Sequence, residues 1–256
     1  MCYDIKTSLE KQLRRALMDG HKDLVSEINK KLSIFSDSEI NLYHASGFDH
    51  PKMFIYTSDS PKLPIVATWG LVPTWSNDKE AIWDKTLNAR GETIFEKPAF
   101  KESASSKRCI IFLEGFYEHH HKSGSSIPYF IKLKDKEIFA VAGLWSEWLD
   151  NKGEILRTFT IVTTTGNTLM AKIHNNPKLP EPRMPLILDE VMQEKWLNNK
   201  LNMPEVIALI QPLPSVELIA HPVGPIKGKN AIGNKPNVTE ELKYALLESG
   251  EQLQMF

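Results

Sequence analysis

The sequence predicts an α+β chain: one domain over residues 1–256, with a mainly antiparallel, barrel-like β core flanked by helices. Three observations predict it. Short apolar or alternating runs of strand length fill the middle, at 53–57, 65–69, 109–113, 129–133, 138–141 and 157–163. Turn-forming strings separate them, Lys122-Ser123-Gly124-Ser125-Ser126 and Asn151-Lys152-Gly153 among them. Helical spacing is confined to the two ends, and no internal repeat or low-complexity linker interrupts the chain.

In chain order, residues 7–33 read as helical. Leu9, Leu13, Ala16 and Leu17, then Leu24, Val25, Ile28 and Leu32, recur at helical spacing, with Gly20 as a break between two pieces. Residues 50–75 are punctuated by Pro51, Pro61, Pro64 and Pro73, leaving room only for short strands. Two hairpins follow, one around the Ser/Gly turn at 122–126 and one around 151–153. Asp189 caps a helix running to about Asn198, with Val191, Met192, Lys195 and Trp196 as its inner face. Residues 204–210 form another short helix, 211–237 are proline-rich loop, and 239–248 close the chain as a helix.

Composition bounds the function. Of 256 residues, 41% are hydrophobic and 25% charged, an ordinary globular balance. No apolar run approaches the ~18 residues of a membrane span, and the first residues lack a signal core, so the expectation is a cytoplasmic monomer that touches no membrane. Net charge is −1, so bulk basicity cannot drive nucleic-acid binding and any such site is a local patch. The two cysteines read as reduced thiols.

Cys2 is the most informative residue. Removal of Met1 before a small residue exposes an α-amine and a thiol on adjacent carbons, with ordinary pKa values of ~7.7–8.0 and ~8.5. Such a 1,2-aminothiol attacks acyl groups. It also condenses with aldehydes: the amine gives an imine, and the thiolate then closes a five-membered thiazolidine. Cys109, opening the run Cys109-Ile110-Ile111-Phe112, reads as core. Glu118 ends an apolar strand among aromatics, a setting that raises a carboxyl pKa and suits proton transfer. Glu114, four residues away, shares its face if the strand is regular. His119, His120 and His121 read as an exposed turn, because consecutive side chains rarely converge on one ion and no partner stands at metal-ligand spacing. His174 is a candidate acid, Asn88 a candidate hydrogen-bonding group, and Arg90 and Arg183 candidate phosphate contacts. Trp75 offers a stacking face.

Several strings appear in order along nearly the whole chain: Met1-Cys2; Trp69-Gly70-Leu71-Val72-Pro73-Thr74-Trp75; Asn88-Ala89-Arg90-Gly91-Glu92-Thr93; Arg108-Cys109 leading to Gly115-Phe116-Tyr117-Glu118; Ala142-Gly143-Leu144-Trp145; Phe159-Thr160-Ile161-Val162-Thr163-Thr164; His174 before Arg183-Met184-Pro185; and His221-Pro222-Val223 with Ile232-Gly233-Asn234. The ordered set resembles the SOS-response-associated peptidase family, the abasic-site processing proteins. The resemblance implies covalent capture of abasic sites in single-stranded DNA through a thiazolidine at Cys2. It implies that Asn88 positions the amine and sugar, that Glu118 orients the amine and shuttles protons, and that His174 protonates the sugar ring oxygen or aldehyde. It further implies that Arg90 and Arg183 grip phosphates and that Trp75, Thr163 and His221 lie along the DNA. It requires no cofactor and no metal. A protein of this kind would be associated with the nucleoid when bound to DNA. The family's peptidase label refers to a proposed self-removal of Met1, which a general aminopeptidase explains equally.

The sequence departs from the family pattern in three places. Tyr3 and Asp4 follow Cys2 where Gly-Arg is usual. His119 follows Glu118 where Trp is usual. Residues 175–182, with three prolines, separate His174 from Arg183 where one residue is usual. Two other readings stand beside this one: an amidase or peptidase that uses Cys2 in trans, and a noncovalent DNA-binding module with an inert Cys2.

Overall fold

A computed structural model describes residues 2–18 and 22–248, without the side chains of 14–23, 37–38 and 248. The expected break at Gly20 and the expected contributions of Ala16 and Leu17 lie outside the described residues.

The chain opens with strand β1 (Asp4–Ser8), followed by helices α1 (Leu9–Met18), α2 (Lys22–Leu32) and α3 (Asp37–Ile40). Strands β2 (Asn41–Ser46), β3 (Lys52–Thr57), β4 (Ser60–Trp69) and β5 (Asn88–Arg90) come next, then helix α4 (Lys101–Ser106). The β-rich middle is β6 (Arg108–Leu113), β7 (Gly115–Lys122), β8 (Ser125–Leu133), β9 (Phe139–Leu149) and β10 (Ile155–Thr165). Helix α5 (Thr168–Ile173), β11 (Arg183–Pro185), β12 (Ile187–Leu188), helices α6 (Glu190–Leu197) and α7 (Met203–Ala208), β13 (Leu218–Pro222) and α8 (Ala245–Glu248) complete it.

Strands β10, β4, β3, β6 and β9 pair in that order, and β9 pairs back with β10, so five strands close into a ring. Every pairing in the ring is antiparallel except β10 with β4. The expected α+β class with a mainly antiparallel barrel is therefore present. A second sheet, ordered β13-β8-β7-β1-β2, packs on it, and one buried apolar cluster joins Ile5, Phe116 and Ile131 of that sheet to Met53, Ile111 and Phe159 of the barrel. Gly143 is required inside the barrel, since a Cβ there would collide with Ile111 and the Cys109 sulfur. The β7–β8 hairpin turns on Ser123 and Gly124, both at positive φ, the two-residue turn that matches strand twist.

Several expectations are corrected. Residues 4–8 form a strand, because their backbone pairs on both sides, with β2 and with β7. His119–His121 are paired strand residues of β7, half-buried rather than an exposed turn. Glu114 does not share a strand face with Glu118: it falls between β6 and β7 and is held by Lys11 at 2.7 Å and Lys6 at 3.4 Å. Asp189 caps α6 as expected, accepting from Met192 N–H, but Val191 faces solvent and Trp196 alone of the helix is buried. The closing helix shrinks to 245–248, because Val223 bridges to Glu241 and Leu242 N–H bonds to Pro222, extending the chain there. Pro61 and Pro64 lie within β4, whose 60–64 segment is partly exposed, as proline requires.

Arg108 is a fully buried guanidinium held by carbonyls alone among its recorded bonds: Ala104 at 2.7 Å, Trp196 at 2.7 Å and Asn198 at 2.6 Å. These oxygens belong to the ends of α4 and α6, where helices leave acceptors unsatisfied and favour cations. Arg108→Met is expected to lower unfolding free energy by about 3 kcal/mol, since it strands several buried acceptors at once. Urea denaturation checks this.

Candidate functional site

The site is assembled by sheet register. Asp4 stands opposite Tyr117, so Glu118 lies level with the chain just before Asp4, where Tyr3 and Cys2 enter. Cys2 is fully buried and belongs to the central apolar cluster. Burial pushes its thiol well above the ordinary range, and the negative charge of Glu118 adds to that rise. This corrects the expectation of an exposed aminothiol: in the chain as it stands, the sulfur has no exposed surface. Tyr3 bonds through its carbonyl to Gly47 N–H at 2.7 Å, and its ring lies 5.1 Å from Phe48. Burial raises the Tyr3 phenol, with Glu118 raising it further and Arg90 opposing. Tyr3 thus sits within reach of both groups.

Glu118 is buried, and burial pushes its carboxyl up from 4.5 to about 7. His174 caps the C-terminus of α5, a helix opened by Asn167 accepting from Met170 N–H. Its Nε2 lies 3.8 Å from a Glu118 oxygen. Its Nδ1 accepts from Arg183 N–H at 3.1 Å, which places the neutral ring's proton on Nε2, toward Glu118. Burial holds His174 down to about 4. Near pH 7 His174 is therefore neutral, and Glu118 is the member of the pair that titrates.

The residues 175–182 form a loop whose ends stay together, which is why His174 and Arg183 remain bonded despite the extra chain. Asn175 grips the β7 edge, accepting from His121 N–H at 2.7 Å and donating to its carbonyl at 2.9 Å. At the other end, Gly166 N–H bonds to the Pro182 carbonyl at 2.8 Å.

The upper half of β10 pairs with β5 on one side and β11 on the other, setting Asn88 and Arg90 beside Ile161 and Thr163. Both polar atoms of the Asn88 amide are buried without a hydrogen-bonding partner. An orphaned buried amide is costly and rare, and it marks a place where a ligand completes the bonding. Arg90 is 46% exposed in its side chain. Arg183 is different: its side chain is only 2% exposed, forked onto Glu92 at 2.9 and 2.8 Å, with Thr163 carbonyl at 2.8 Å and Glu181 at 3.1 Å. The expected phosphate grip is thus not on offer from Arg183 in this arrangement, where its two terminal nitrogens tie β11 to β10 and to the Gly91–Thr93 turn. Thr163 is likewise fully buried rather than lining a surface.

Trp75 is 56% exposed, anchored by its Nε1–H to the Pro98 carbonyl at 3.3 Å. His221 lies on β13, away from Glu118: it bonds the Thr239 carbonyl at 2.8 Å and meets Phe130 edge-on, on the sheet face shared by Tyr117. Among the described residues, no group of three His, Cys, Asp or Glu is placed to hold a metal ion. Sequence reading missed Glu181, which touches both arginines, and the Asp4 cluster, where Lys227 at 2.6 Å and His44 at 3.0 Å hold a buried carboxylate. The hint for Glu181 was an acid inside the extra segment, directly before an arginine motif. Lys227 gave no signal, being more than 200 residues from Asp4 in sequence.

A family model described as SOS response associated peptidase (SRAP) matches residues 1–229. The chain belongs to the SRAP family. Among similar proteins is the abasic site processing protein YoqW of Bacillus subtilis, 40% identical over 174 residues, which are 67% of this chain and 74% of YoqW. The abasic site processing protein HMCES of Rattus norvegicus is 31% identical over 204 residues, 68% of this chain and 54% of that protein. A crystal structure of a Bacteroides thetaiotaomicron protein superposes with a TM-score of 0.80 at 34% identity, covering 94% of this chain and all of the other. The SRAP fold is thus shared along nearly the whole chain. No helix among the described residues is long and apolar enough to cross a membrane.

Proposed function

We propose that this SRAP protein processes abasic sites in DNA, capturing the lesion covalently in single-stranded DNA through Cys2 once Met1 is removed. The observation that carries this reading is the Glu118–His174 pair at 3.8 Å, with a carboxyl near pKa 7 whose charge acts on the Cys2 thiol. The relatives named abasic site processing proteins supply the substrate class.

The chemistry balances with one proton-carrying group. Carboxylate Glu118 takes a proton from the Cys2 ammonium, freeing the amine to add to C1′ of the ring-opened sugar. Protonated Glu118 returns that proton to the departing hydroxyl, water leaves, and an iminium forms. Glu118 then takes the thiol proton as sulfur bonds to C1′ and closes the thiazolidine. One aldehyde and one aminothiol give one ring and one water. A group with pKa near 7 does both halves at neutral pH. His174, neutral and carrying its proton on Nε2, orients Glu118 and donates a hydrogen bond. The ring-opening proton first assigned to His174 fits Glu118 better, because His174 near pKa 4 is rarely charged. Asn88 gives its unpartnered amide to the sugar or the amine. Burial of Cys2 makes removal of Met1 a precondition: the charge of the new terminus then sits beside Glu118 and favours the thiolate.

Phosphate contact falls to Arg90, and Trp75 stacks on a base or sugar edge. Trp75→Ala is expected to weaken binding of intact single-stranded DNA by about 1–3 kcal/mol with no change in melting temperature, read by fluorescence anisotropy. The test of the whole reading is mass spectrometry of Met1-free protein incubated with an oligonucleotide bearing one abasic site. The expected adduct weighs the sum of the two less one water and is unchanged by borohydride. Absence of an adduct overturns the reading.

A further inference from the structure

We infer that Glu181 is a built-in competitor for the phosphate that Arg90 binds, so that the 175–182 segment sets how tightly this protein holds single-stranded DNA. The inference rests on the proposed role of Arg90. One carboxylate oxygen of Glu181, Oε1, lies 3.1 Å from an Arg183 terminal nitrogen and 3.5 Å from an Arg90 terminal nitrogen. A single anionic oxygen between two guanidinium groups is the arrangement a non-bridging phosphate oxygen would adopt.

Charge counting supports exchange. Arg90, Arg183 and Glu92 together carry +1, and Glu181 brings the cluster to zero. A phosphodiester carries −1 and replaces Glu181 like for like. The two arginines are not equivalent in this exchange. Arg183 is clamped by Glu92 and the Thr163 carbonyl and stays in place, while Arg90, 46% exposed, has Glu181 as its recorded ion-pair partner and is free to turn toward DNA. Glu181 is itself 40% exposed, and the neighbouring Pro182 carbonyl is fixed by Gly166 N–H. Side-chain rotation of Glu181 is therefore enough to vacate the position, with the segment's ends held at His121 and Gly166 throughout.

The experiment measures binding of an unmodified oligothymidylate, which cannot react with Cys2, across a salt series. Glu181→Gln is expected to tighten binding about threefold or more at low salt, and to steepen the salt dependence by about 0.7 in log–log slope, the value of one added phosphate contact. Arg90→Ala is expected to weaken binding, and Arg90→Ala with Glu181→Gln to lose the gain. Unchanged or weaker binding by Glu181→Gln, while Arg90→Ala still weakens it, overturns the competitor role alone. If Arg90→Ala leaves binding unchanged, the phosphate role of Arg90 fails instead. Because Arg183 keeps Glu92, Glu181→Gln is expected to fold. A circular-dichroism melt coincident with the parent confirms that affinity changes report the site, and a lowered melt with weakened binding counts against the inference.

Discussion

Cys2→Ala is expected to abolish the stable crosslink to an abasic oligonucleotide entirely, while leaving intact-DNA affinity unchanged. The distinction lies in which bond each atom makes. Alanine keeps the α-amine after Met1 removal, so the imine still forms, but no sulfur closes the ring. The imine hydrolyses back on denaturation, and borohydride should trap it. An imine at C1′ also acidifies the neighbouring C2′–H, and loss of that proton expels the 3′ phosphate. Strand cleavage should therefore rise as crosslinking disappears. Denaturing gels with and without borohydride show both outcomes. A borohydride-independent adduct formed by Cys2→Ala would assign the covalent bond to another residue. Equal crosslinking by protein that retains Met1 would remove the terminal amine from the account, since the nitrogen would then be an amide.

The second large effect is on stability against pH. In the folded chain Glu118 holds its proton to about pH 7 against an ordinary 4.5, and His174 stays neutral to about pH 4 against 6.5. Between pH 4.5 and 6.5 the folded pair carries one proton, on Glu118, and the unfolded pair also carries one, on the histidine. Proton counts match, so the two slopes cancel in the parent protein. Single substitutions uncover them. In Glu118→Gln the depressed histidine remains, whose contribution is present above pH 6.5 and lost as pH falls through 4. In His174→Asn the raised carboxyl remains, whose contribution is present below pH 4.5 and lost as pH rises through 7. Each slope amounts to about 3 kcal/mol over its range. Urea midpoints from pH 4 to 8 should therefore tilt in opposite directions for the two variants. Parallel profiles would show that burial does not shift these groups.

The same two variants separate chemistry from packing. Glu118→Gln keeps shape and hydrogen-bonding capacity but cannot carry a proton, so adduct formation should fall by a factor of about 10²–10⁴, the usual worth of a positioned acid–base group.

The core strands were legible because their signals are local. The apolar run 109–113 is a strand on any reading, and the Ser123-Gly124 turn dictates the β7–β8 hairpin by φ angle alone. The strands at 138–141 and 157–163 were read too short: their outer ends are polar or exposed, and only mutual pairing extends them to Leu149 and from Ile155. Residues 4–8 were misread as helix, because Leu9 and Leu13 begin a helical pattern just beyond them. What makes 4–8 a strand is the edge of β7, more than 100 residues away. For the site, residue type marked Cys2, Asn88, Glu118 and His174 as candidates, but type carries no information on environment. The sequence offered Arg90 and Arg183 as equals, and burial separated them.

By itself, then, the sequence determined the β-rich class, the family resemblance and the chemical menu: an aminothiol behind Met1, an acid, an imidazole, an amide. Tertiary structure alone decided what those groups hold at neutral pH and whom they face. Proton affinity and ion pairing depend on solvent exclusion and on charges a few ångströms away in space, and register between strands distant in sequence sets both.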